Sequence, residues 1–499
     1  MAIKYSEFMQ EITKEELLEG LLGYGMFAEK IPPIFTSIPL YNFCIKNGYD
    51  WINNNGIHSS ISYESMRNIS VPRILSIPHP VSYVNHCECL SENWYKLQLY
   101  FEKETQNQLF KVSRVHIRKM KDKKSLFEMN YKNGSKDGYP DLDISIGNKY
   151  VVKADIANCF PSIYSHAIPW ALVGIQESKN NQRDQSKWYN EIDFRTHALK
   201  DNETHGILIG PHASNLISEI ILTKIDNELC REGFRYTRTV DDYTCFVDTQ
   251  QNAEQFLIKL SSFLKTYGLL INHKKTEIIK LPVASTEPWI VKLNSIPFPD
   301  RIGIRELKIY LNTAIDLSGQ AENIAVLNYA IKALANKELS QNAISYYLKT
   351  IHHLVIIFPY LLPVLEDYVF IPFKVDSLQI KKIARDILLD GIKFKRYEQL
   401  SYAIYYALKY DFKFGSKSFI KIVNLCEDCI FMVLSYIYDR RHNEDFIDDY
   451  IDIAKNLQND DLSKDKYWLY IYEILKGIDL IEPSFKALKK GKVSFLKFK

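Results

Sequence analysis

The sequence predicts an α+β protein in which a part that contains a β-sheet precedes a part built from helices. Between residues 126 and 285 the patterns run strand, helix, loop and helix, hairpin, helix and strand, which is the order of a split βαβ unit. Beyond about residue 320 the alternation gives way to apolar residues at helical spacing. The predicted segments are an N-terminal segment at 1–125, a central sheet unit at 126–285, a connection at 286–320 and a helical domain at 321–499.

The N-terminal segment begins with a helical pattern at residues 14–22, for which Thr13 is a suitable N-cap. Glycines and prolines at 23–33 predict a shaped turn. Residues 71–80 have the pattern of an extended strand interrupted by prolines. We therefore expect both helices and strands before the central unit begins.

A basic stretch at 111–124 ends the N-terminal segment. Within it, Arg114 and Arg118 alternate with apolar residues, which predicts that both lie in structured chain. Because a guanidinium group can bind phosphate through two parallel hydrogen bonds, these two residues are candidates for holding a triphosphate or a nucleic-acid backbone. The alternative is a solvated charged face.

Three carboxylates lie where strands of the central unit end or turn. A valine-rich strand runs into Asp155, and a predicted hairpin at 235–247 places Asp241 and Asp242 at its turn. A solvated turn would explain the adjacent pair alone. The third acid favours a site for two Mg²⁺ ions about 3.5–4 Å apart, which would activate a primer hydroxyl and stabilise leaving pyrophosphate. This arrangement predicts a nucleotidyl-transferring palm.

Two further elements of the central unit can contact phosphate. Gly206 and Gly210 lie in a loop that opens a helix predicted at 213–229, and a helix N-terminus attracts anions. An ordinary connection between loop and helix is the alternative. Lys275 follows the pattern of helix, Gly268 and strand, which places it to meet phosphate charge unless it is simply an exposed lysine.

Composition limits the class of protein. The formal net charge is only +3, which indicates a short or transient contact with nucleic acid, since phosphate contacts usually demand a larger basic excess. The eight cysteines show no disulfide framework, and no secretory signal is recognisable, so we expect a cytoplasmic protein with reduced thiols. The apolar run at 354–365 is too short to span a membrane and is broken by Pro359 and Pro363.

The C-terminal part is predicted to be a stack of paired antiparallel helices. The pattern for residues 376–390 has Asp376 as N-cap and Gly391 as the stop. Cys426 and Cys429 have zinc-like spacing within a predicted helix, with two buried helix thiols as the alternative. The tail at 485–499 mixes cations with aromatics and is either a frayed solvated end or a contact for single-stranded nucleic acid. The other predicted helices are 322–336, 341–358, 397–410, 419–438, 446–457 and 466–478.

These motifs, in this order, resemble the palm of reverse transcriptases. A narrower resemblance is to the bacterial abortive-infection reverse transcriptases, and it is carried by Ser165-His-Ala-Ile-Pro-Trp170, Glu203-Thr-His-Gly206 and Tyr236-Thr-Arg. The resemblance implies a right-hand polymerase with fingers within 1–125 and the palm at 126–285, followed by a HEAT-like helical domain. It covers the palm well, the fingers loosely and the C-terminal half by architecture alone.

The resemblance also implies a function. It implies an antiphage protein that polymerises deoxynucleoside triphosphates without a template, primes on one of its own tyrosines and so carries single-stranded DNA covalently, acts as a homo-oligomer and needs no membrane. Asp155, Asp241, Asp242 and the backbone of Ile156 would hold Mg²⁺ or Mn²⁺. Phe160 would exclude a ribose 2′-hydroxyl, and Gly210 and Lys275 would contact the nucleotide.

Two departures from the family pattern bear on the template. Leu208 stands where related palms often have proline, and Thr239 stands where they usually have an aromatic residue before Val-Asp-Asp. In the family that aromatic residue helps to support the primer end and the template base. Untemplated synthesis is less affected by that loss. A template-dependent RNA-directed DNA polymerase is the alternative, and a binding scaffold with a degenerate palm is a third hypothesis.

No motif distinguishes a priming tyrosine among the 33 in the chain. Tyr5, Tyr24, Tyr41 and Tyr49 are candidates only because they precede the palm.

Overall fold

The computed structural model describes residues 5–52, 56–67, 71–119, 125–129, 138, 140–320, 325–415 and 418–498. The last residues of the predicted basic stretch (120–124) and the first residues of the helix predicted at 322–336 lie outside the described residues. The strands are β1 (Ile61–Ser65), β2 (Arg73–Ile77), β3 (Val115–Ile117), β4 (Phe127–Met129), β5 (Tyr150–Asp155), β6 (Tyr236–Thr239), β7 (Asp242–Val247), β8 (Glu277–Lys280), β9 (Arg301–Ile302) and β10 (Glu338–Leu339).

The helices before residue 300 surround the strands. They are Glu7–Gln10, Lys14–Leu18, Ile38–Asn47, Pro80–Glu92, Trp94–Thr105, Pro140–Ser145, Cys159–Ser162, Ala167–Val173, Ile175–Asn180, Trp188–His197, His212–Arg231, Gln250–Thr266 and Pro288–Asn294. The predicted cap at Thr13 is confirmed: its hydroxyl accepts from the Glu16 backbone N–H at 3.2 Å, and the Glu16 carboxylate accepts from the Thr13 backbone N–H at 3.1 Å.

The central sheet has the strand order β6-β7-β5-β8, and all of its neighbours are antiparallel. The helix His212–Arg231 connects β5 to the β6–β7 hairpin in sequence, and the helix Gln250–Thr266 connects that hairpin to β8. The second of these helices packs on β5 and β7. The split βαβ order predicted from the sequence is therefore confirmed, and its hairpin lies beside the strand that ends at Asp155.

Smaller strand pairings lie on both sides of the central sheet in sequence. β1 pairs with β2 and β3 with β4, both antiparallel, whereas β9 pairs in parallel with β10. The extended strand predicted at 71–80 is β2, with Pro80 starting the next helix.

The C-terminal part consists mainly of helices that pack on one another in succession. The helix Ser377–Phe394 packs on Tyr397–Lys409, which packs on Cys429–His442, which in turn packs on Trp468–Ile474. The remaining helices after residue 300 are Ile304–Gln320, Ala325–Leu334, Gln341–Ile357, Leu362–Leu365, Ile420–Val423, Ile447–Asn459 and Pro483–Lys490. Most of the predicted helices are confirmed to within a few residues at each end.

Gly391 does not stop its helix, contrary to the prediction. The helix continues to Phe394, and the chain leaves it at Lys395, whose φ of 53° is left-handed. A Cβ on Gly391 would lie 2.8 Å from Leu400 Cδ2, so this glycine serves the close approach of the next helix instead.

The helix predicted at 419–438 is broken, because Asp428 caps a new helix start. Its carboxylate accepts from the Phe431 backbone N–H at 2.7 Å. Cys426 therefore precedes the helix rather than lying in it, while Cys429 is buried inside it. The prediction of two helix thiols is wrong for Cys426.

The C-terminal tail is packed rather than frayed. Thr36 donates its backbone N–H to the Phe495 carbonyl at 2.9 Å, and Lys497 donates to the Ile34 carbonyl at 2.8 Å. Phe495 is fully buried, with its ring centroid 5.0 Å from that of Trp468. The apolar side chains of the tail are buried, so the expectation of a solvated C-terminal end is wrong.

The apolar core joins the two ends of the chain. The buried apolar side chains form one cluster that extends from Tyr5 to Leu496. Across the described ranges, no helix has both the length and the apolar character that a bilayer crossing requires. In particular, the apolar run at 354–365 is divided between the end of the helix Gln341–Ile357 and two short helical segments.

Candidate active site

The three predicted aspartates lie at one end of the central sheet. Asp155 ends β5 and pairs in register with Asp242, the first residue of β7. Asp241 lies in the turn, and its carbonyl accepts the Ile156 backbone N–H at 3.2 Å. Acids that are far apart in sequence thus meet because the hairpin pairs with β5.

The hairpin turn holds Val240 in an unusual backbone conformation. Its φ of 58° is left-handed, which costs a β-branched residue about 1–3 kcal/mol. The Arg238 guanidinium donates to the Val240 carbonyl at 2.8 Å and so helps to fix the turn. The positions of Asp241 and Asp242 therefore depend on a buried contact beneath them.

The acids repel one another. Burial, together with the charges of Asp241 and Asp155, raises the pKa of the Asp242 carboxyl to about 6. The pKa of Asp241 is also raised, mainly by burial and then by Asp155. The negative charge at this end of the sheet is therefore not fully compensated by the positively charged residues around it.

Asp155 is bound by the segment that precedes β8. The Lys275 ammonium lies 2.8 Å from Oδ2 of Asp155, and the Asn272 amide donates to Oδ1 at 2.8 Å. The Asp155 carbonyl also accepts the Asn272 backbone N–H at 2.7 Å. Lys275 thus lies beside Asp155 with its side chain 65% exposed, and its contact with a nucleotide stays a prediction.

Phe160 and Gly210 lie in two packed connections near the aspartates. Phe160 is partly buried in the short helix after β5, and its carbonyl accepts the Ile207 backbone N–H at 2.9 Å. Gly210 has a φ of 128°, and a Cβ there would lie 3.2 Å from the Ser76 carbonyl. The glycine loop is therefore held between β2 and the segment that follows Asp155.

Arg114 and Arg118 are buried, as expected for structured chain and unlike a solvated face. The Arg118 guanidinium forms an ion pair with Glu128 across the β3–β4 pair. Arg114 donates from its guanidinium to the Gly138 carbonyl at 3.2 Å. The interpretation of this stretch as a charged surface is wrong for these two residues, and their contact with a nucleotide stays a prediction.

Arg238 is a structural centre that the sequence reasoning missed. Its fully buried guanidinium lies 2.9 Å from the Glu219 carboxylate and 2.7 Å from the Asp226 carboxylate. The Tyr5 hydroxyl donates to the same Glu219 at 2.7 Å. The available signal was a pair of acids two turns apart on the otherwise apolar face of the helix His212–Arg231.

Residues 100–322 match the family model described as reverse transcriptase (RNA-dependent DNA polymerase). The chain carries a reverse transcriptase domain. The enzyme class of this domain is nucleotidyltransferase, of the polymerase type. The matched residues include the whole aspartate site and Arg238 with Glu219 and Asp226, whereas Tyr5 and most of the C-terminal helices lie outside them.

Similar solved structures include three telomerases. Apo telomerase from Candida tropicalis truncated from its C-terminal domain has 13% identity and a TM-score of 0.31, with 49% of this chain and 55% of that chain covered. The longer apo enzyme from the same organism has 11% identity and a TM-score of 0.33, with 74% and 68% covered. Candida albicans telomerase with a telomeric RNA fragment has 12% identity and a TM-score of 0.28, with 78% and 65% covered. No curated protein matches this chain in sequence.

Proposed function

We propose that this protein is a cytoplasmic antiphage polymerase of the reverse transcriptase type, which adds deoxynucleotides to one of its own tyrosines without a template and works as a homo-oligomer. The observation that carries the polymerase proposal is the meeting of Asp155, Asp241 and Asp242 at one end of the central sheet. The antiphage role, the self-priming, the HEAT-like character of the helical part and the oligomer rest on the resemblance to abortive-infection reverse transcriptases.

The site suits hard divalent cations. Asp155, Asp241, Asp242 and the Ile156 carbonyl supply only oxygen ligands, which Mg²⁺ and Mn²⁺ prefer. The raised pKa values of Asp241 and Asp242 support the same assignment, because burial and the neighbouring carboxylates, which raise them, both disfavour negative charge that a bound cation would compensate. When bound, two such ions activate an attacking hydroxyl and stabilise charge on the leaving phosphates.

The neighbouring residues have distinct roles in the proposal. Lys275 is exposed enough to contact the triphosphate, while Phe160 blocks the space that a ribose 2′-hydroxyl needs. Gly210 shapes the loop beside the nucleotide, because a larger residue would meet Ser76 and Ala28. A contact of Arg114 or Arg118 with the triphosphate would require these buried side chains to exchange their present partners, the Gly138 carbonyl and Glu128.

A template-dependent RNA-directed DNA polymerase is the second candidate, and the description of the matching family model favours it. Thr239 favours untemplated synthesis, since it lacks the aromatic ring that would support a template base. The two candidates differ in a single requirement, which is RNA.

The test is incubation of the pure full chain with Mg²⁺ and deoxynucleoside triphosphates alone. We expect DNA that remains attached to the protein after denaturation, and we expect Asp241→Asn to abolish it. Asp248→Asn is the matched control, because Asp248 is exposed at the opposite end of β7 and should leave synthesis unchanged. Peptide mapping of the product would identify the priming tyrosine.

The other outcomes are equally informative. Extension of a separate primer only when RNA is added would establish the template-dependent enzyme and remove the first proposal. Absence of nucleotide incorporation with or without RNA would remove both and favour a scaffold.

A further inference from the structure

A second group of potential metal ligands lies outside the aspartate site. It joins His58 and His79, from the N-terminal segment around β1 and β2, to Asp465, from the C-terminal helical part. One ligand atom from each of these side chains lies within 4.8 Å of the others. Glu482 adds a second carboxylate, with its Oε2 3.5 Å from Nε2 of His79.

His79 has no hydrogen bond that accounts for its burial. The side chain is 1% exposed, and neither ring nitrogen makes a hydrogen bond within the described residues. Buried polar atoms in proteins are almost always bonded, so a buried imidazole whose Nδ1 has no hydrogen bond within the described residues, and whose Nε2 has only the 3.5 Å contact with Glu482, needs an explanation. A metal ion bound to one nitrogen would supply it.

The neighbouring side chains are oriented as outer ligands usually are. Nδ1 of His58 lies 2.8 Å from the Ser82 hydroxyl, the kind of outer contact that orients a histidine ligand. The Asp465 carboxylate accepts the Ser59 backbone N–H at 3.1 Å through one oxygen. Glu482 is similarly bonded to the Ser484 hydroxyl. His58, Asp465 and Glu482 thus each have a supporting contact, whereas His79 has none of this kind.

A cavity gives an ion access to this group. It has a volume of about 650 Å³, and its walls include His58, Asp465 and Glu482. The site is therefore neither sealed in the core nor spread over an open surface.

We propose that His58, His79 and Asp465 form the core of a structural site for a first-row transition ion, of which Zn²⁺ is the best match, and that Glu482, which contacts His79, completes it. Two imidazoles and two carboxylates suit zinc, whereas Mg²⁺ and Ca²⁺ prefer oxygen ligands alone. Tetrahedral ligands about 2.1 Å from zinc lie about 3.4 Å apart, which is close to the 3.5 Å between His79 and Glu482.

The histidine rings must separate when the ion binds. They are stacked, with centroids 3.8 Å apart and planes inclined by 13°. Because a ring nitrogen binds metal in the plane of its ring, stacked rings cannot both point at one ion. One ring would have to rotate about its Cβ–Cγ bond before nitrogens of both rings could bind the same ion.

The bound ion would join the two ends of the chain. His79 is the N-cap of the helix Pro80–Glu92, and Glu482 is the N-cap of the helix Pro483–Lys490. Zinc would therefore link the segment before the palm to the last helix and stabilise the folded state.

The test is the zinc content of the full chain after dialysis against Zn²⁺ in the presence of excess Mg²⁺, which occupies the aspartate site. We expect one zinc per chain and a melting temperature that rises with zinc. Cobalt in place of zinc should give the visible absorption of a tetrahedral ion. Asp465→Asn and His79→Asn should each lose the zinc and its stabilising effect.

Two control variants separate this site from the others. Asp241→Asn, in the aspartate site, and His86→Asn, in the same helix as the His79 cap, should both retain one zinc. Asp465→Asn is the primary variant because Asp465 is only partly buried, and its circular dichroism without metal should equal that of the wild type. The proposal is overturned if the wild type binds no zinc, if Asp465→Asn binds as much as the wild type, or if Asp241→Asn loses it.

Discussion

Asp155 has more fixed contacts than the other two aspartates of the site. Lys275 binds one of its carboxylate oxygens and Asn272 binds the other, each at 2.8 Å. Its side chain is also buried, at 5% exposed. Asp241 and Asp242 depend instead on the turn that Arg238 supports. At the scale of single residues, the Asn272 amide therefore orients the Asp155 carboxylate, and the Arg238 guanidinium fixes the turn that carries the other two aspartates.

Replacement of Asn272 by alanine tests this orientation. Asn272→Ala removes the donor to Oδ1 of Asp155, so the carboxylate is free to turn towards Lys275. Loss of such an outer contact weakens metal binding by about 10- to 100-fold. We expect the Mg²⁺ concentration for half-maximal nucleotide incorporation to rise by that factor, and bound Mn²⁺ measured by electron paramagnetic resonance to fall in parallel.

Asn252→Ala is the control for this prediction. Asn252 also donates to an aspartate, Asp248 at 2.6 Å, but this exposed pair lies beyond the other end of β7. It should leave the metal requirement unchanged. An unchanged requirement in Asn272→Ala as well would show that Lys275 alone orients Asp155.

The aspartates could be predicted from sequence because local patterns mark them. A strand end and a hairpin turn are visible within about ten residues. The Arg238 centre could not be predicted in the same way, because its partners Glu219 and Asp226 lie on another element and Tyr5 lies more than 200 residues away. A charged residue in a strand pattern does not reveal which acids neutralise it.

At the scale of elements, helix packing decides what a glycine does. Gly391 lies inside the helix Ser377–Phe394, where an added Cβ would be 2.8 Å from Leu400 Cδ2 and 3.1 Å from Gln399 Cβ. Gly319 lies near the end of the helix Ile304–Gln320 and has no atom within 4 Å of such a Cβ. The two glycines have similar backbones and different surroundings.

Alanine substitution at these two positions should change stability in opposite directions. Gly391→Ala gains up to about 1 kcal/mol of helix propensity but loses about 1–3 kcal/mol through overpacking against buried Leu400, so the free energy of unfolding should fall. Gly319→Ala has only the gain. Urea denaturation of both variants measures the difference. Equal stabilisation of the two would show that the helix pair adjusts without strain.

Elements were predictable where one local rule acts alone. The periodic apolar residues of the C-terminal helices gave their positions to within a few residues. The predicted helix ends were wrong where packing against a second helix decided the role of a residue, as at Gly391. They were also wrong where a capping acid began a new helix, as at Asp428. That glycine often ends a helix and that aspartate often caps one can both be recognised in the sequence. Which of them applies at a given position is decided by packing.

At the scale of the whole molecule, contacts between distant segments dominate. The Glu398 carboxylate accepts the Met66 backbone N–H at 2.6 Å across 332 residues, and the Tyr402 hydroxyl donates to the Lys30 carbonyl at 3.0 Å across 372. The tail adds the pairing of Phe35 with Leu496. A sequence pattern describes neighbours along the chain, so none of these contacts could be predicted from it.

The buried Glu398 makes this long-range contact sensitive to pH. Burial raises the pKa of its carboxyl to about 8, against a starting value of 4.5, and burial likewise raises the pKa of Asp428 to about 7. At these two carboxyl groups the folded state therefore holds more protons than the unfolded state as the pH rises from the unfolded towards the folded pKa. Their contribution to the free energy of unfolding falls as the pH rises through this window.

Glu398→Gln should remove part of this dependence. The neutral amide can still accept the Met66 N–H through its oxygen, but it has no proton to lose. We expect melting temperatures close to the wild type at about pH 5 and a clear advantage for the variant at about pH 8, measured by scanning calorimetry. Glu203→Gln, at an exposed carboxylate, should follow the wild type throughout. If Glu398→Gln also followed it, the carboxylate would be charged in the folded state, and the contact between β1 and the helix Tyr397–Lys409 would contain an ion pair instead of a neutral acid.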